Sequence, residues 1–343
     1  MAGLVAAAQA RAHGAAVEVY EKGDRAGGSM LLSSGVIWRH REFERFRAEC
    51  PGGDEALQRT IFDRLDTDLE WLESLGARAV DRGTGNPATT GARFEPAALT
   101  QALATAAGGE AQLGRPLHAL PETGPVVLAT GGFQADRELV RRHVTPEADS
   151  LLLRAAPWST GDGLRLGLEA GAATSAGLDE FYGRNMPAPP ARIEARDFVR
   201  LAQLYARHAT VRNRDGEVFE TRAWSEIDAV QWTARQPGAR ACYEVGEAAL
   251  AEQVRERTVG EMVDLAQAAG APVRRHDGEV VVEVAAAITT TLGGLQIDEH
   301  AKAAPGVFAC GADAGGIATG GYASGLAAAL VFGRIAADAA LGI

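Results

Sequence analysis

Residues 1–29 read MAGLVAAAQARAHGAAVEVYEKGDRAGGS. A dinucleotide-binding signature runs a strand into G-x-G-x-x-G, continues as a helix, and closes with a second strand that ends in an acidic residue roughly 20 residues on. Gly3 takes the place of the third glycine, a helix is expected over Leu4 to His13, the second strand over Ala15 to Tyr20, and Glu21 is the acid. The signature therefore opens in its own middle, because its first strand and first two glycines are not in the sequence.

The 343 residues are enough for two domains, since single cores rarely grow beyond about 250 to 300 residues. The hydrophobic fraction of 46% and charged fraction of 23% are those of a globular chain. Thirty-four basic residues against 45 acidic ones leave a net charge of −11, which argues against a phosphate backbone as ligand, so no nucleic-acid partner is expected. Cys50, Cys242 and Cys310 lie far apart and form no C-x-x-C pair, so neither a metal site nor a disulfide framework is expected, and a reducing cytoplasm fits. No apolar run reaches the ~18 residues of a membrane span, and the start lacks the basic-then-apolar order of a signal peptide.

Downstream, GDRAGGSMLLSSGVIW (residues 23–38) reads as a loop, for it has glycine and serine but no periodicity. Between Arg41 and Gly76 apolar residues recur at helical spacing (Phe43, Phe46, Ile61, Leu65, Leu69, Leu72), broken at CPGGD, which predicts two helices with Gly76 closing the second. A further helix is expected over Ala97 to Ala107, and PVVLA (125–129) suits a buried strand ahead of TGGF. From Asp136 to about Ala285 charge, arginine and aromatic content rise, and then glycine-rich α/β language returns in TTTLGGLQID, PGVFACGADAGG and a C-terminal helix of small apolar residues. The expected organisation is a nucleotide-binding domain from both chain ends (1–135 and 286–343) interrupted by a cap over 136–285.

These stretches, with STGDGLRLGLEAGA (159–172), resemble in order the flavoprotein family of fumarate reductase, the succinate dehydrogenase flavoprotein subunit and the 3-ketosteroid dehydrogenases. The resemblance covers most of the chain and implies an α/β, Rossmann-like FAD-binding domain, lacking its first strand and GxG, with an inserted α+β capping domain. It also implies a cofactor site. Gly3 would belong to the phosphate-binding turn, and Glu21, with Lys22 beside it, would accept from adenosine ribose hydroxyls. Gly27, Gly28 and Ser29 would let the backbone approach pyrophosphate or ribityl oxygens, with Met30, Ser34 and Gly35 alongside. Asp313 takes the position of an acid that binds the ribityl chain, while Ser324, Gly325 and Leu326 start a helix whose N–H groups would face the electron-rich edge of the flavin. Asp162 either lines the cofactor or caps the helix that follows it.

The resemblance also separates substrate classes. Fumarate-type members clamp a dicarboxylate with histidine and arginine, but here Thr290 stands at the histidine position of H-T-x-G-G and Tyr322 at a substrate arginine. Glu226 replaces the proton-delivering arginine, and Val218 and Arg222 alter the R-F-x-x-E stretch. Tyr322 in GGYASG is similar to the ketosteroid pattern, in which a tyrosine hydroxyl and a glycine N–H, here that of Gly325, hold a ketone oxygen. Tyr182 and Arg184 in DEFYGRNMP are the candidates for exchanging the substrate proton. The expectation is an FAD-dependent oxidoreductase acting on a CH–CH bond beside the carbonyl of an apolar small molecule, with the electron partner unspecified. Two accounts of the missing strand stay open: the true start lies upstream of Met1, or the chain is a degenerate, flavin-free homologue serving as a lyase, an isomerase or a binding protein.

Overall fold

The computed structural model describes residues 1–109 and 111–343. Two compact units emerge, one of residues 1–136, 155–180 and 290–343, the other of 137–154 and 181–289. Residues 155–180, which fall inside the stretch expected as the cap, pack with the first unit. Elements are numbered along the chain.

In the first unit α1 (Ala2–Ala12) and α9 (Gly325–Leu341) pack against each other, and small side chains allow a close approach. A β-carbon on Gly333 would come within 2.9 Å of the Ala2 carbonyl oxygen. Arg334 on α9 ties the pair to α3 (Glu55–Ser74): its guanidinium bonds Asp68, which is 1% exposed, and Gln9 of α1 at 3.1 Å. Gly76 follows the end of α3 with φ +91, the left-handed stop its sequence position predicts.

Beside α1 the sheet is in two pieces. β1 (Val19–Tyr20) pairs in parallel with β5 (Ala111–Gln112), while β6 (Val126–Leu128) pairs in parallel with β17 (Val307–Ala309), which continues antiparallel to β16 (Lys302–Ala304). α1 packs against both β1 and β6, yet among the described residues no strand joins them. Here the sequence expectation of a buried strand over PVVLA holds at Leu128 and needs correcting at the two valines. Only Leu128 is buried, and Val126 and Val127 stay half-buried along an edge with no paired neighbour.

A second correction falls on residues 36–38. Val36–His40 form β2, the outer partner of β4 (Thr89–Phe94), whose other side carries β3 (Ala79–Asp81). β4 crosses β2 closely at Gly91, where a β-carbon would meet the Ile37 carbonyl oxygen at 2.0 Å. α2 (Phe43–Glu49), α3, α4 (Pro96–Ala106) and α6 (Asp162–Glu169) complete this unit.

The second unit is built on a seven-stranded, mainly antiparallel sheet. Its spine is β15 (Glu279–Thr291), paired with β11 (Arg240–Gly246) and β14 (Val273–His276), while β9 (Thr210–Arg212) and β10 (Val218–Phe219) extend the β11 side. β7 (Leu152–Leu153) and β8 (Phe181–Pro187) also pair with β15. α5 (Arg137–His143), α7 (Ile227–Ala234) and α8 (Val259–Ala268) and the small hairpin of β12 (Gln253–Val254) and β13 (Arg257–Thr258) finish it. α8 starts at a capping box, with Thr258 and Glu261 each bonding the other's amide. Tyr205, Tyr243, Val282, Val284 and Met262 share its core.

Candidate cofactor and substrate site

Glu21 directly follows β1, and its Oε1 accepts the Gly23 amide at 2.7 Å. A β-carbon on Gly23 would come 3.0 Å from the Trp158 indole, so the backbone passes close to that ring. Lys22 donates to Thr160 Oγ1 and, at 2.8 Å, to Asp162 Oδ2. Asp162 does not cap its helix: Gly161, with φ +81, is the N-cap of α6, and the Asp162 carboxylate is turned to Lys22.

Gly27 (φ +108) and Gly28 (φ +55) lead into a short 3-10 helix over Gly28–Leu32. Open space surrounds the β-carbon position of Gly28, and Ser29 Oγ accepts the Ala156 amide at 3.0 Å. Met30 is buried beneath them. Ser34 is exposed, and Gly35 abuts the Phe94 backbone of β4, so these two sit at the entry to β2. Gly3, on the first turn of α1, faces the Ala129 side chain, with only 3.3 Å available to a β-carbon.

The ends of β6 and β17 and the start of α6 converge on Asp313, which is 1% exposed. Its carboxylate accepts the Thr130 amide, the Thr130 hydroxyl at 3.0 Å and the Gly132 amide at 3.2 Å, and Thr130 Oγ1 in turn accepts the Gly163 amide at 2.9 Å. Burial pushes the Asp313 pKa above the usual carboxylate range, opposed by the bonds from Thr130 and Gly132.

In the same unit Ser324 caps α9, its Oγ accepting the Ala327 amide at 3.2 Å and the Trp38 amide at 3.4 Å. Gly325 is exposed with nothing near its β-carbon position, Leu326 is half-buried, and the 17-residue helix concentrates positive potential there. Tyr322 precedes the cap, and its ring lies 5.5 Å from that of Trp38. The Tyr322 amide bonds the Cys50 thiol, which burial pushes up to about 12.

Tyr182 and Arg184 belong to the second unit. The Arg184 guanidinium sits 5.1 Å from the Tyr182 ring centre and donates to the Ser225 carbonyl. Next to Ser225, Glu226 is 8% exposed with a left-handed φ of +58; burial raises its pKa, against the opposing pull of Arg184. Val218 lies on the outer strand β10, and Arg222 is exposed, its amide bound to Asp228.

Thr130, Gln134 and Thr291 were not among the candidates from sequence. The glycine pair in TGGF signals close backbone approach at this point, but nothing in the sequence marks Gln134 as buried. Gln134 Oε1 and Thr291 Oγ1 are both buried without a hydrogen-bond partner.

The helix over Ala2–Ala12, the parallel strand β1 that follows it, and Glu21 at the end of that strand define a Rossmann-like nucleotide-binding unit. A family model for the NAD(P)-binding Rossmann-like domain matches residues 1–41, and one for the FAD binding domain matches residues 52–326. The chain belongs to the FAD binding domain family: it is an FAD-dependent oxidoreductase, and FAD is its cofactor. No curated protein matches the sequence. Among solved structures, the open conformation of a flavocytochrome c3 fumarate reductase aligns with TM-score 0.73 and 21% identity over 99% of this chain and 76% of that one. The 3-ketosteroid-Δ4-(5α)-dehydrogenase from Rhodococcus jostii RHA1, in complex with 4-androstene-3,17-dione, aligns with TM-score 0.72 and 18% identity over 100% and 95%. The 3-ketosteroid Δ1-dehydrogenase from Sterolibacterium denitrificans, in complex with 1,4-androstadiene-3,17-dione, gives 0.72 and 15% over 99% and 97%. At these identities the likeness establishes the fold.

The residues present fit the cofactor. The glycine at 28 and the α9 N-terminus at Gly325 are open where a β-carbon would stand, and two buried oxygens beside Gly132 lack donors. Among the described residues no cluster of three metal-ligating side chains occurs, and no helix is long and apolar enough to cross a membrane.

Proposed function

We propose that the protein oxidises or reduces a CH–CH bond next to the carbonyl of an apolar substrate, in the manner of a ketosteroid dehydrogenase and not of a fumarate reductase. The observation that carries this reading is Tyr322 at the mouth of α9, its ring set against Trp38 and Gly325 exposed three residues on. Bound FAD supplies the two-electron redox chemistry. Glu21 with Lys22 is assigned to the adenosine ribose, the Gly27–Ser29 turn with Met30, Ser34 and Gly35 to the phosphates and their surroundings, and Asp313 to the ribityl chain.

Tyr322 and the Gly325 amide form the donor pair for the substrate oxygen. Removal or addition of hydrogen beside a carbonyl builds enolate-like charge on that oxygen, and two aimed donors, one at a helix N-terminus, stabilise it. Tyr182, with the Arg184 guanidinium 5.1 Å away, exchanges the proton. Neither Thr290 nor Tyr322 can supply the cationic grip a dicarboxylate needs.

The test is anaerobic. Holoprotein reduced with dithionite is mixed with 1,4-androstadiene-3,17-dione, 4-androstene-3,17-dione or fumarate, and flavin absorbance is followed. Return of the oxidised band with an enone and not with fumarate is expected, whereas reoxidation by fumarate alone would refute the substrate class. Tyr322→Phe is expected to slow reoxidation by roughly a hundredfold, the usual loss for one oxyanion donor.

A further inference from the structure

Gly132 marks an acceptor site that none of the assignments above uses. Its φ is +83, and its amide is committed to Asp313. A β-carbon at this residue would lie 2.6 Å from Thr291 Oγ1 and 2.8 Å from Gln134 Oε1, so both oxygens stand close around the Gly132 backbone and a side chain there would collide with them. Gln134 is 2% exposed and Thr291 3%. The Gln134 amide nitrogen is spent on the Gly131 carbonyl at 2.8 Å, which fixes the opposite end of the amide, Oε1, as the free acceptor.

Two oxygens buried to this degree around one point, each without a partner, are costly unless a donor arrives from outside the chain. The Gly132 amide cannot be that donor, since it points to the carboxylate of Asp313. We propose that Gln134 Oε1 and Thr291 Oγ1 form a hydrogen-bond acceptor site for the flavin half of FAD, taking either a ribityl hydroxyl or the ring N3–H. The placement rests on the reading in which the adjacent Asp313 holds the ribityl chain. A role of this kind explains why a glutamine is kept dry beside a glycine turn where an apolar residue would be cheaper to bury.

The test measures affinity and stability, not turnover. FAD and ADP are titrated calorimetrically into the apoprotein of wild type, Thr291→Val, Thr291→Ser and Gln134→Leu. Thr291→Val and Gln134→Leu are expected to weaken FAD by about tenfold, the loss of one buried hydrogen bond, with ADP affinity unchanged. Thr291→Ser, which keeps the hydroxyl, is expected to bind FAD like wild type. Apo Thr291→Val is also expected to melt no lower than wild type, because it removes an unsatisfied group, and a purely structural hydroxyl would give the opposite result. N3-methyl-FAD separates the two donors. Tenfold losses that persist with it assign a ribityl hydroxyl, and losses that vanish with it assign N3–H. FAD affinities within twofold of wild type would overturn the proposal and leave an ordered-water site, and equal losses for FAD and ADP would overturn it by moving the donor to the adenosine half. Wild type that binds ADP but not FAD would overturn the flavin reading and this site together.

Discussion

His40 is 4% exposed, packed between Trp38 and Phe46, and both its ring nitrogens lack partners. Burial lowers its pKa below the ordinary 6.5. Between that lowered value and 6.5 the unfolded chain binds a proton that the folded chain refuses, so His40 takes stability away as pH falls through this window. His40→Phe is expected to shrink the fall in urea midpoint between about pH 7 and pH 5 relative to wild type, and identical falls would contradict the assignment. At Asp313 the opposite exchange is harmful. Asp313→Asn replaces one carboxylate oxygen by NH2 and sets it against either the Thr130 or the Gly132 amide, at a cost of about 1–3 kcal/mol in stability. FAD should then be released on dialysis from Asp313→Asn and retained by wild type. Neither environment is legible in the sequence: the GAD triplet suggests a site, but only the fold brings Thr130, Gly132 and Gly163 to one carboxylate.

Elements with a strong period or composition were readable, and those defined by pairing were not. α3 follows from Ile61, Leu65, Leu69 and Leu72, and α9 from its run of small apolar residues, because burial of one face is written into the spacing. The glycines and serines of residues 23–38 read as loop, and what makes Val36–Trp38 a strand is β4, more than 50 residues away in sequence. PVVLA suits a buried strand, yet among the described residues β6 pairs on one side alone and two of its three residues are half-open. The Gly91 crossing gives the test at this scale. Gly91→Ala forces a β-carbon onto the Ile37 carbonyl and is expected to cost about 1–3 kcal/mol or more by chemical denaturation. An unchanged midpoint would mean that β4 does not approach β2 as described.

For the whole molecule, sequence order made the Rossmann-like unit recognisable from both chain ends, since each glycine cluster carries its own backbone demand. It did not show that residues 155–180 pack with that unit, because which unit they join is decided by tertiary contacts and not by their own spacing. The split sheet on either side of α1 is the feature that bears most on cofactor retention. If Glu21, the Gly27–Ser29 turn, Asp313 and the α9 N-terminus suffice, FAD at about 100 times its Kd should stabilise the protein by about 2.7 kcal/mol and raise Tm accordingly. The most direct measurement is the visible spectrum of the purified chain after incubation with FAD and exhaustive dialysis. A retained, structured flavin band at close to one FAD per chain is the expected result, and a folded protein that emerges colourless would contradict FAD binding by this chain.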